Sequence, residues 1–181
     1  MVSALVLIAN GTEEMEAVIS IDILRRANIE VTVAGVEGQD PVVCSRNVKI
    51  VPDIALESIK DTNSFDVLLL PGGLKGAQTF CSSPLVQKLI QQQYKSSKLL
   101  AVICAAPLSL KAANVHQQKQ LTSHPSVKSQ LDQDFEYLDQ NVVVCENLVT
   151  ARGPGTAFEF ALKVVEILCG IERCQLVKSP L

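Results

Sequence analysis

Residues 99–107, LLAVICAAP, combine an apolar run of strand length with an abrupt change to a helix start at a cysteine. The run Leu99–Ile103 contains no polar residue, as expected of a strand buried on both faces of a parallel sheet. Cys104 follows it directly, and the pattern from Ala106 onward predicts a helix to about Asn114. The stretch is therefore typical of one strand–helix unit of an α/β fold.

The same unit recurs along the chain. The pattern predicts strands at residues 4–9, 30–34 and 66–70, an edge hairpin at 42–51, and shorter extended segments at 121–124, 135–138 and 142–150. It predicts helices at residues 12–27, from Ser83-Pro84 onward, and from a Thr156/Glu159 capping box to Cys169, with Gly170 as the stop. We expect an α/β fold with a mostly parallel central sheet and helices on both faces. Without repeats or linkers, residues 1–181 are expected to form one domain.

Composition excludes several functional classes. Hydrophobic residues make up 48% and charged residues 19% of the 181 residues, so the chain can bury a core and is not predicted to be disordered. A net charge of −3 disfavours binding to nucleic-acid phosphates. The apolar runs are too short to cross a membrane, and the start of the chain lacks a signal peptide. We therefore expect a cytoplasmic protein without disulfides.

Cys104 is the residue with the clearest chemical potential. A cysteine in a tight turn between strand and helix is exposed and close to backbone N–H groups, which lower the thiol pKa and can bind an oxyanion. The alternative is a buried core cysteine at the end of a strand. None of the six cysteines forms a C-x-x-C motif, and neither histidine lies near a cysteine pair, so no metal site is expected.

Three further segments lie at predicted strand ends. Glu13, Glu14 and Glu16 open the first helix, either as solvated acids or with one carboxyl turned inward and protonated, able to donate to a thiolate. His124 is either structural or a partner of Cys104, although no acid adjoins it to complete a triad. The Gly72-Gly73 pair is either a simple turn or a donor of backbone N–H groups to a substrate oxygen. The 153–156 loop lacks the lysine of a P-loop, so nucleotide binding is not expected.

Seven motifs occur in an order that resembles the ThiJ/PfpI superfamily and, more narrowly, its parkinsonism-associated deglycase (DJ-one) branch. The match covers nearly the whole chain, from about Ala4 to Pro180. The motifs are residues 13–16 (EEME), 31–35 (VTVAG), 44–46 (CSR), 70–73 (LPGG), 101–107 (AVICAAP), 123–125 (SHP) and 151–161 (ARGPGTAFEFA).

The resemblance implies a flavodoxin-like sandwich that forms a homodimer. It also implies roles for individual residues: Cys104 as nucleophile and oxidation-sensitive thiol, Glu16 as its hydrogen-bond partner, and His124 as its neighbour. The backbone of Gly73 and Ala105, next to Gly72, would form the oxyanion site. The first helix is consistent with a dimer, because its apolar residues extend over several sides. These residues are Met15, Val18, Ile19, Ile21, Ile23 and Leu24.

The family activity implied is a cofactor-free, glutathione-independent glyoxalase, a hydro-lyase that converts methylglyoxal or glyoxal to hydroxy acids. Repair of glycated proteins and nucleotides is a second implied activity, and oxidative-stress protection in cytoplasm, nucleus and mitochondrion a further role. One alternative is a non-enzymatic redox sensor or chaperone that acts through oxidised Cys104. The other is a cysteine peptidase or amidohydrolase. Asn10, Leu74, Ala151 and the short C-terminus depart from the family pattern and leave substrate preference open.

Overall fold

A computed structural model of the chain describes residues 1–115 and 117–181. Its eleven strands are Ser3–Ile8 (β1), Glu30–Gly35 (β2), Val42–Val43 (β3), Lys49–Ile50 (β4), Ile54–Ala55 (β5), Val67–Leu70 (β6), Leu99–Ile103 (β7), Gln120–Leu121 (β8), Glu136–Tyr137 (β9), Val142–Cys145 (β10) and Leu148–Ala151 (β11). Its six α-helices are Glu14–Arg26 (α1), Leu74–Ser82 (α2), Pro84–Lys95 (α3), Leu108–Ala112 (α4), Ala157–Cys169 (α5) and Ile171–Lys178 (α6). Short 3₁₀ segments complete the connections.

Seven strands form the central sheet in the order β10-β11-β7-β6-β1-β2-β5. Every pairing in it is parallel except that between β10 and β11, at one edge. The helices form two groups: α1 packs against α5 and α5 against α6, whereas α2, α3 and α4 contact one another. This flavodoxin-like α/β sandwich confirms the predicted fold class.

The core lies between the sheet and the helices. Strands β6 and β7 are buried over their whole length, in agreement with their purely apolar sequences. Because the central strands are parallel, their carboxyl ends meet at one edge of the sheet. The turns after β1, β6 and β7 therefore come together there, and they carry the candidate functional residues except His124, which follows β8.

Two helices were not predicted. Helix α2 begins directly after Gly73 and contains Gly76, and these glycines give its sequence no clear helical signal. Helix α6 begins at Ile171, immediately after Gly170, which ends α5 as expected. A stop signal at Gly170 therefore ends one helix without ending the helical part of the chain.

Other local predictions need correction. The extended segment predicted at residues 142–150 is confirmed as two strands: β10 and β11 form a hairpin whose turn places Glu146 at a φ of 55°. The predicted capping box fails because Thr156 Oγ1 donates to the Gly153 carbonyl at 2.9 Å instead of capping α5. Glu159, the expected partner, accepts from Asn141 at 3.3 Å. Hairpin β3–β4 is confirmed.

Candidate active site

Cys104 lies directly after β7 in a sharply turned conformation. Its φ is +66°, a left-handed value that costs energy for a residue with a side chain. Two hydrogen bonds hold this backbone in place: the Cys104 N–H donates to the Ala151 carbonyl at 2.9 Å, and its carbonyl accepts from the His124 N–H at 2.8 Å. The strand-end cysteine is thus fixed between two other segments of the chain.

The helix after Cys104 differs from the prediction. It was expected to start at Ala106, but α4 begins only at Leu108 and is five residues long. Residues 104–107 form turns instead, with the Ala106 N–H bonded to the Ile103 carbonyl. Stabilisation of a thiolate must therefore come from individual N–H groups near Cys104, since a helix this short has little dipole to offer.

Glu16 is fully buried in the first turn of α1. The turn is set by Glu13, whose carboxylate caps the helix by accepting from the Glu16 N–H at 2.8 Å. The Glu16 carboxyl crosses to the end of β6, where Oε2 accepts from the Gly72 N–H at 2.6 Å. Within the described residues, its second oxygen, Oε1, is buried without a hydrogen-bond partner. Burial raises the pKa of Glu16 to about 7.

Gly72 allows Glu16 and Cys104 to lie side by side. A Cβ atom at Gly72 would stand 2.5 Å from Cys104 Cβ and 2.8 Å from Glu16 Oε2. These distances are far inside van der Waals contact, and both neighbours are enclosed. The Gly72-Gly73 pair is therefore more than a turn, because the first glycine permits the close approach of the two side chains.

The Cys104 thiol contacts the backbone N–H groups of Gly73 and Ala105, which lower its pKa. Burial and the negative charge of Glu16 have larger, opposite effects and raise the thiol pKa to about 12. The expectation of an exposed thiol with a low pKa is therefore wrong, because Cys104 is buried and its pKa is raised. Two adjacent buried anions are unfavourable, so Glu16 and Cys104 together carry at most one negative charge near neutral pH. Thiolate forms when the carboxyl holds the proton.

His124 presents its ring to the same edge. Nδ1 accepts the Ser126 N–H at 3.3 Å and lies 2.8 Å from Ser126 Oγ. An Nδ1 that accepts leaves the proton of the neutral ring on Nε2, where it can be donated. Ser126, rather than a carboxylate, orients the ring, so the geometry lacks the acid of a hydrolase triad.

The three side chains meet at Gly153, whose loop the sequence analysis considered only as a possible phosphate-binding loop. A Cβ atom there would stand 3.3 Å from His124 Cδ2, 3.9 Å from Glu16 Oε1 and 4.0 Å from Cys104 Sγ. This proximity depends on β11 lying beside β7, which no local motif encodes. The only sequence signal for this proximity is that glycines follow several of the strands.

Glu14 has a structural role that the sequence analysis did not predict. Its buried carboxylate accepts from Ser45 Oγ and from the Arg46 N–H, both at 2.7 Å. Burial raises its pKa, but hydrogen bonds from its own backbone N–H and from Ser45, Arg46 and Val48 outweigh that effect and hold the pKa below its usual value. The acidic first turn is therefore not simply solvated: Glu14 anchors the loop after β3.

The residues that depart from the family pattern lie near this edge. Asn10 donates to Glu37 at 3.0 Å and accepts from the Val43 N–H at 3.0 Å. Ala151 is buried on β11 and Leu74 is exposed.

A cavity of about 250 Å³ adjoins His124 and Gly153 and is also lined by Asn141 and Arg152. Across residues 1–115 and 117–181, no cluster of metal-ligating side chains is present and no helix is long and apolar enough to span a membrane.

The chain is similar to a known protein family and to several of its characterised members. The profile of the DJ-1/PfpI family matches residues 2–167. Protein dj-1beta of Drosophila melanogaster is 49% identical over 99% of this chain and 96% of that protein. Its crystal structure, with the same identity and coverage, superposes with a TM-score of 0.96.

Two further relatives extend the similarity. The Parkinson disease protein 7 homolog of Danio rerio is 46% identical over 98% of this chain and 95% of that protein. A Caenorhabditis elegans relative named glutathione-independent glyoxalase DJR-1.2 is 39% identical over 99% of this chain and 95% of that protein. The group of relatives thus includes a protein named as an enzyme.

Proposed function

The chain belongs to the DJ-1/PfpI family, and on this premise we propose that it is a cofactor-free, glutathione-independent glyoxalase with Cys104 as nucleophile. The observation that carries the proposal is the buried pair of Cys104 and Glu16, with the N–H groups of Gly73 and Ala105 on the thiol. This pair supplies a nucleophile, a proton carrier and an oxyanion site. The substrate class is small reactive 2-oxoaldehydes such as methylglyoxal and glyoxal.

The first step is addition to the aldehyde. The Cys104 thiolate forms an S–C bond to the aldehyde carbon while the C=O π electrons move to oxygen. The N–H groups of Gly73 and Ala105 stabilise the developing oxyanion, and Glu16 gives it the proton that it held in the resting pair. The product is a hemithioacetal, and Glu16 is left as a carboxylate.

The second step is an internal oxidation and reduction. Glu16 removes the proton from the carbon bound to sulfur, the electrons form an enediol, and His124 donates a proton to the neighbouring carbonyl oxygen. Glu16 then returns its proton to the second carbon, while the enediol hydroxyl on the first carbon becomes the thioester carbonyl as its proton passes back to His124. Water releases the hydroxy acid and restores the thiol, so no external oxidant or reductant is needed.

The product distinguishes this function from simple aldehyde scavenging. Purified wild-type protein, free of glutathione, is expected to convert methylglyoxal to lactate, one molecule formed for each aldehyde consumed. Enzymatic assay of lactate beside colorimetric assay of methylglyoxal measures both amounts. Loss of aldehyde without lactate would show stoichiometric adduct formation and would refute the glyoxalase.

Deglycase activity is an extension of the same chemistry, because early glycation adducts release or contain a carbon that the thiolate can attack. We propose glycated proteins and nucleotides as secondary substrates, and cytoplasm, nucleus and mitochondrion as locations for the protein. The peptidase or amidohydrolase alternative is disfavoured, since Ser126 occupies the position on His124 where a triad has a carboxylate.

Redox sensing is a second candidate function, favoured by the groups around Sγ. The N–H groups of Gly73 and Ala105 and a protonated Glu16 can all donate to oxygen atoms on an oxidised sulfur. Such an oxidised form could act as a sensor or as a chaperone. Catalysis and sensing would then use the same thiolate under different conditions.

Mild peroxide is expected to add two oxygens to Cys104 before any other cysteine, because these donors stabilise a sulfinate. Peptide mass spectrometry after graded peroxide treatment measures the order of oxidation. Cys81 is the informative comparison. It is more exposed than Cys104, but it is still partly buried, and this burial raises its pKa. If Cys81 is oxidised first, exposure rather than the hydrogen-bond environment controls the reaction.

We propose a homodimer that uses part of α1. The predicted apolar surface of this helix is smaller than expected, because Ile23 and Leu24 are buried in the core of the subunit. Met15 and Val18 remain 52% and 49% exposed, one turn apart on the same face. Phe158, on the adjacent α5, is 51% exposed.

A charge on this face is expected to separate the subunits. Light scattering at micromolar concentration should give about twice the 19.5 kDa mass for wild type and a monomer for Val18→Glu. Leu176→Glu is the matched control, since Leu176 is a 68% exposed apolar residue on α6 that lies beside Arg26, at the C-terminal end of α1, two turns from Val18. A monomeric wild type, or equal dissociation by both substitutions, would contradict a dimer through α1.

A further inference from the structure

Gly153 has no conformational reason to be glycine. Its φ of 162° and ψ of −164° describe extended backbone that any residue adopts. Gly73 differs, because its φ is +85° and a Cβ there would stand 2.1 Å from the Gly11 carbonyl oxygen. The glycine at position 153 therefore calls for an explanation other than backbone shape.

Packing does not exclude a side chain at this position either. The nearest atom to a Cβ at Gly153 would be His124 Cδ2 at 3.3 Å, which requires the ring to give by a few tenths of an ångström. What the Cβ would occupy is the space between His124, Glu16 Oε1 and Cys104 Sγ. The missing methyl group thus leaves open a region next to all three candidate catalytic side chains.

We propose that Gly153 is a specificity-determining position, whose missing side chain leaves room for the carbon substituent of a 2-oxoaldehyde bound to Cys104. This inference rests on the proposed function and deepens it. A carbon bonded to Sγ carries its substituents one bond further out, towards the position where the Cβ would stand 4.0 Å from sulfur.

Methylglyoxal and glyoxal differ by one methyl group and therefore test this space. Gly153→Ala is expected to lower kcat/KM for methylglyoxal at least about tenfold more than kcat/KM for glyoxal, in the range that one methyl group controls in a fitted pocket. The ratio of the two kcat/KM values within one preparation does not depend on how much of the protein is active. An unchanged ratio would overturn the proposal.

Gly155→Ala is the matched control in the same loop. A Cβ at Gly155 meets nothing within 4 Å, so this variant should keep the wild-type ratio. A change of the ratio in Gly155→Ala equal to that in Gly153→Ala would assign the effect to loop stiffness and overturn the proposal. Failure of Gly153→Ala to fold, judged by thermal melting, would also overturn it, because the geometry requires that a Cβ be tolerated.

Alkylation separates this inference from the proposed function. Rates for iodoacetamide, which is small, and N-ethylmaleimide, which is bulky, are measured at Cys104 by peptide mass spectrometry. Gly153→Ala should slow the bulky reagent at least about tenfold more than the small one. This result would stand even if wild type formed no lactate, in which case only the glyoxalase would fail. Equal slowing of both reagents would show that Gly153 does not control the space beside Sγ.

Discussion

Cys104→Ser is expected to reduce aldehyde turnover to the uncatalysed background, whereas Cys44→Ser keeps most of it. Serine preserves the shape, but its hydroxyl does not ionise near neutral pH and is a far weaker nucleophile than a thiolate. The loss should exceed about a thousandfold, since removal of a nucleophile removes the whole covalent route. Rates of methylglyoxal consumption for the purified variants measure the effect.

Cys44 is a demanding control because it is also a buried cysteine at the carboxyl edge of the sheet. Burial and the charges of Glu14 and Glu13 raise its pKa to about 11. No described N–H group donates to its sulfur, and it packs in a small cluster with Ile8, Ala17 and other apolar residues. Equal loss of activity in both variants, or full activity in Cys104→Ser, would remove Cys104 from the mechanism.

Glu16→Gln and Glu16→Ala are both expected to lower turnover about a hundredfold or more, because neither side chain can carry a proton between the substrate carbons. Glutamine keeps an acceptor for the Gly72 N–H and an amide donor for sulfur, so its thiolate should form more readily than that of the alanine variant. Glu13→Gln is the control, since it removes a neighbouring charge but keeps the cap on α1. Wild-type turnover in Glu16→Gln would make Glu16 a structural donor only.

The pH dependence of Cys104 alkylation reports on the same pair. Burial raises the pKa of Glu16 to about 7, so below this pH both groups are protonated and no thiolate exists. Wild-type alkylation should therefore rise as the pH increases through about 7 and then level off while the pair holds one charge. Neither variant has a carboxyl that can share a proton with the thiol. The pH at which the alkylation rate rises should therefore be higher in Glu16→Gln than in wild type, and higher still in Glu16→Ala. Identical profiles in the three proteins would show that Glu16 and Cys104 are not coupled.

The sheet was predictable because its central strands consist almost entirely of apolar residues. Strands β6 and β7 are apolar throughout and β1 is apolar after Ser3, and their burial on both faces leaves no alternative pattern. Helices α2 and α6 were missed for the opposite reason. Each lies next to a glycine that normally ends a helix, and α6 exposes most of its residues to solvent, so tertiary contacts rather than local sequence decide it.

The sequence predicted those site residues that can be recognised individually, from their position in the chain or from a family motif. Cys104 stands out at a strand end, and the family motifs drew attention to Glu16 and His124. A protonated carboxyl beside a thiolate was one of the alternatives that the sequence left open, but the raised pKa values of Glu16 and Cys104 could not be inferred, because they depend on two residues distant in sequence and on the depth of their burial. Gly153 was missed because its importance is spatial: β11 brings it to the thiol.

The covalent role of Cys104 is the central claim, and a rapid-quench experiment tests it most directly. Wild-type protein is mixed with methylglyoxal for less than one turnover, quenched in acid and digested for peptide mass spectrometry, with lactate measured in the same samples. The account predicts that the Cys104 peptide gains the mass of one methylglyoxal and loses it as lactate appears. Lactate formation while Cys104 remains unmodified and other residues carry the added mass would contradict it.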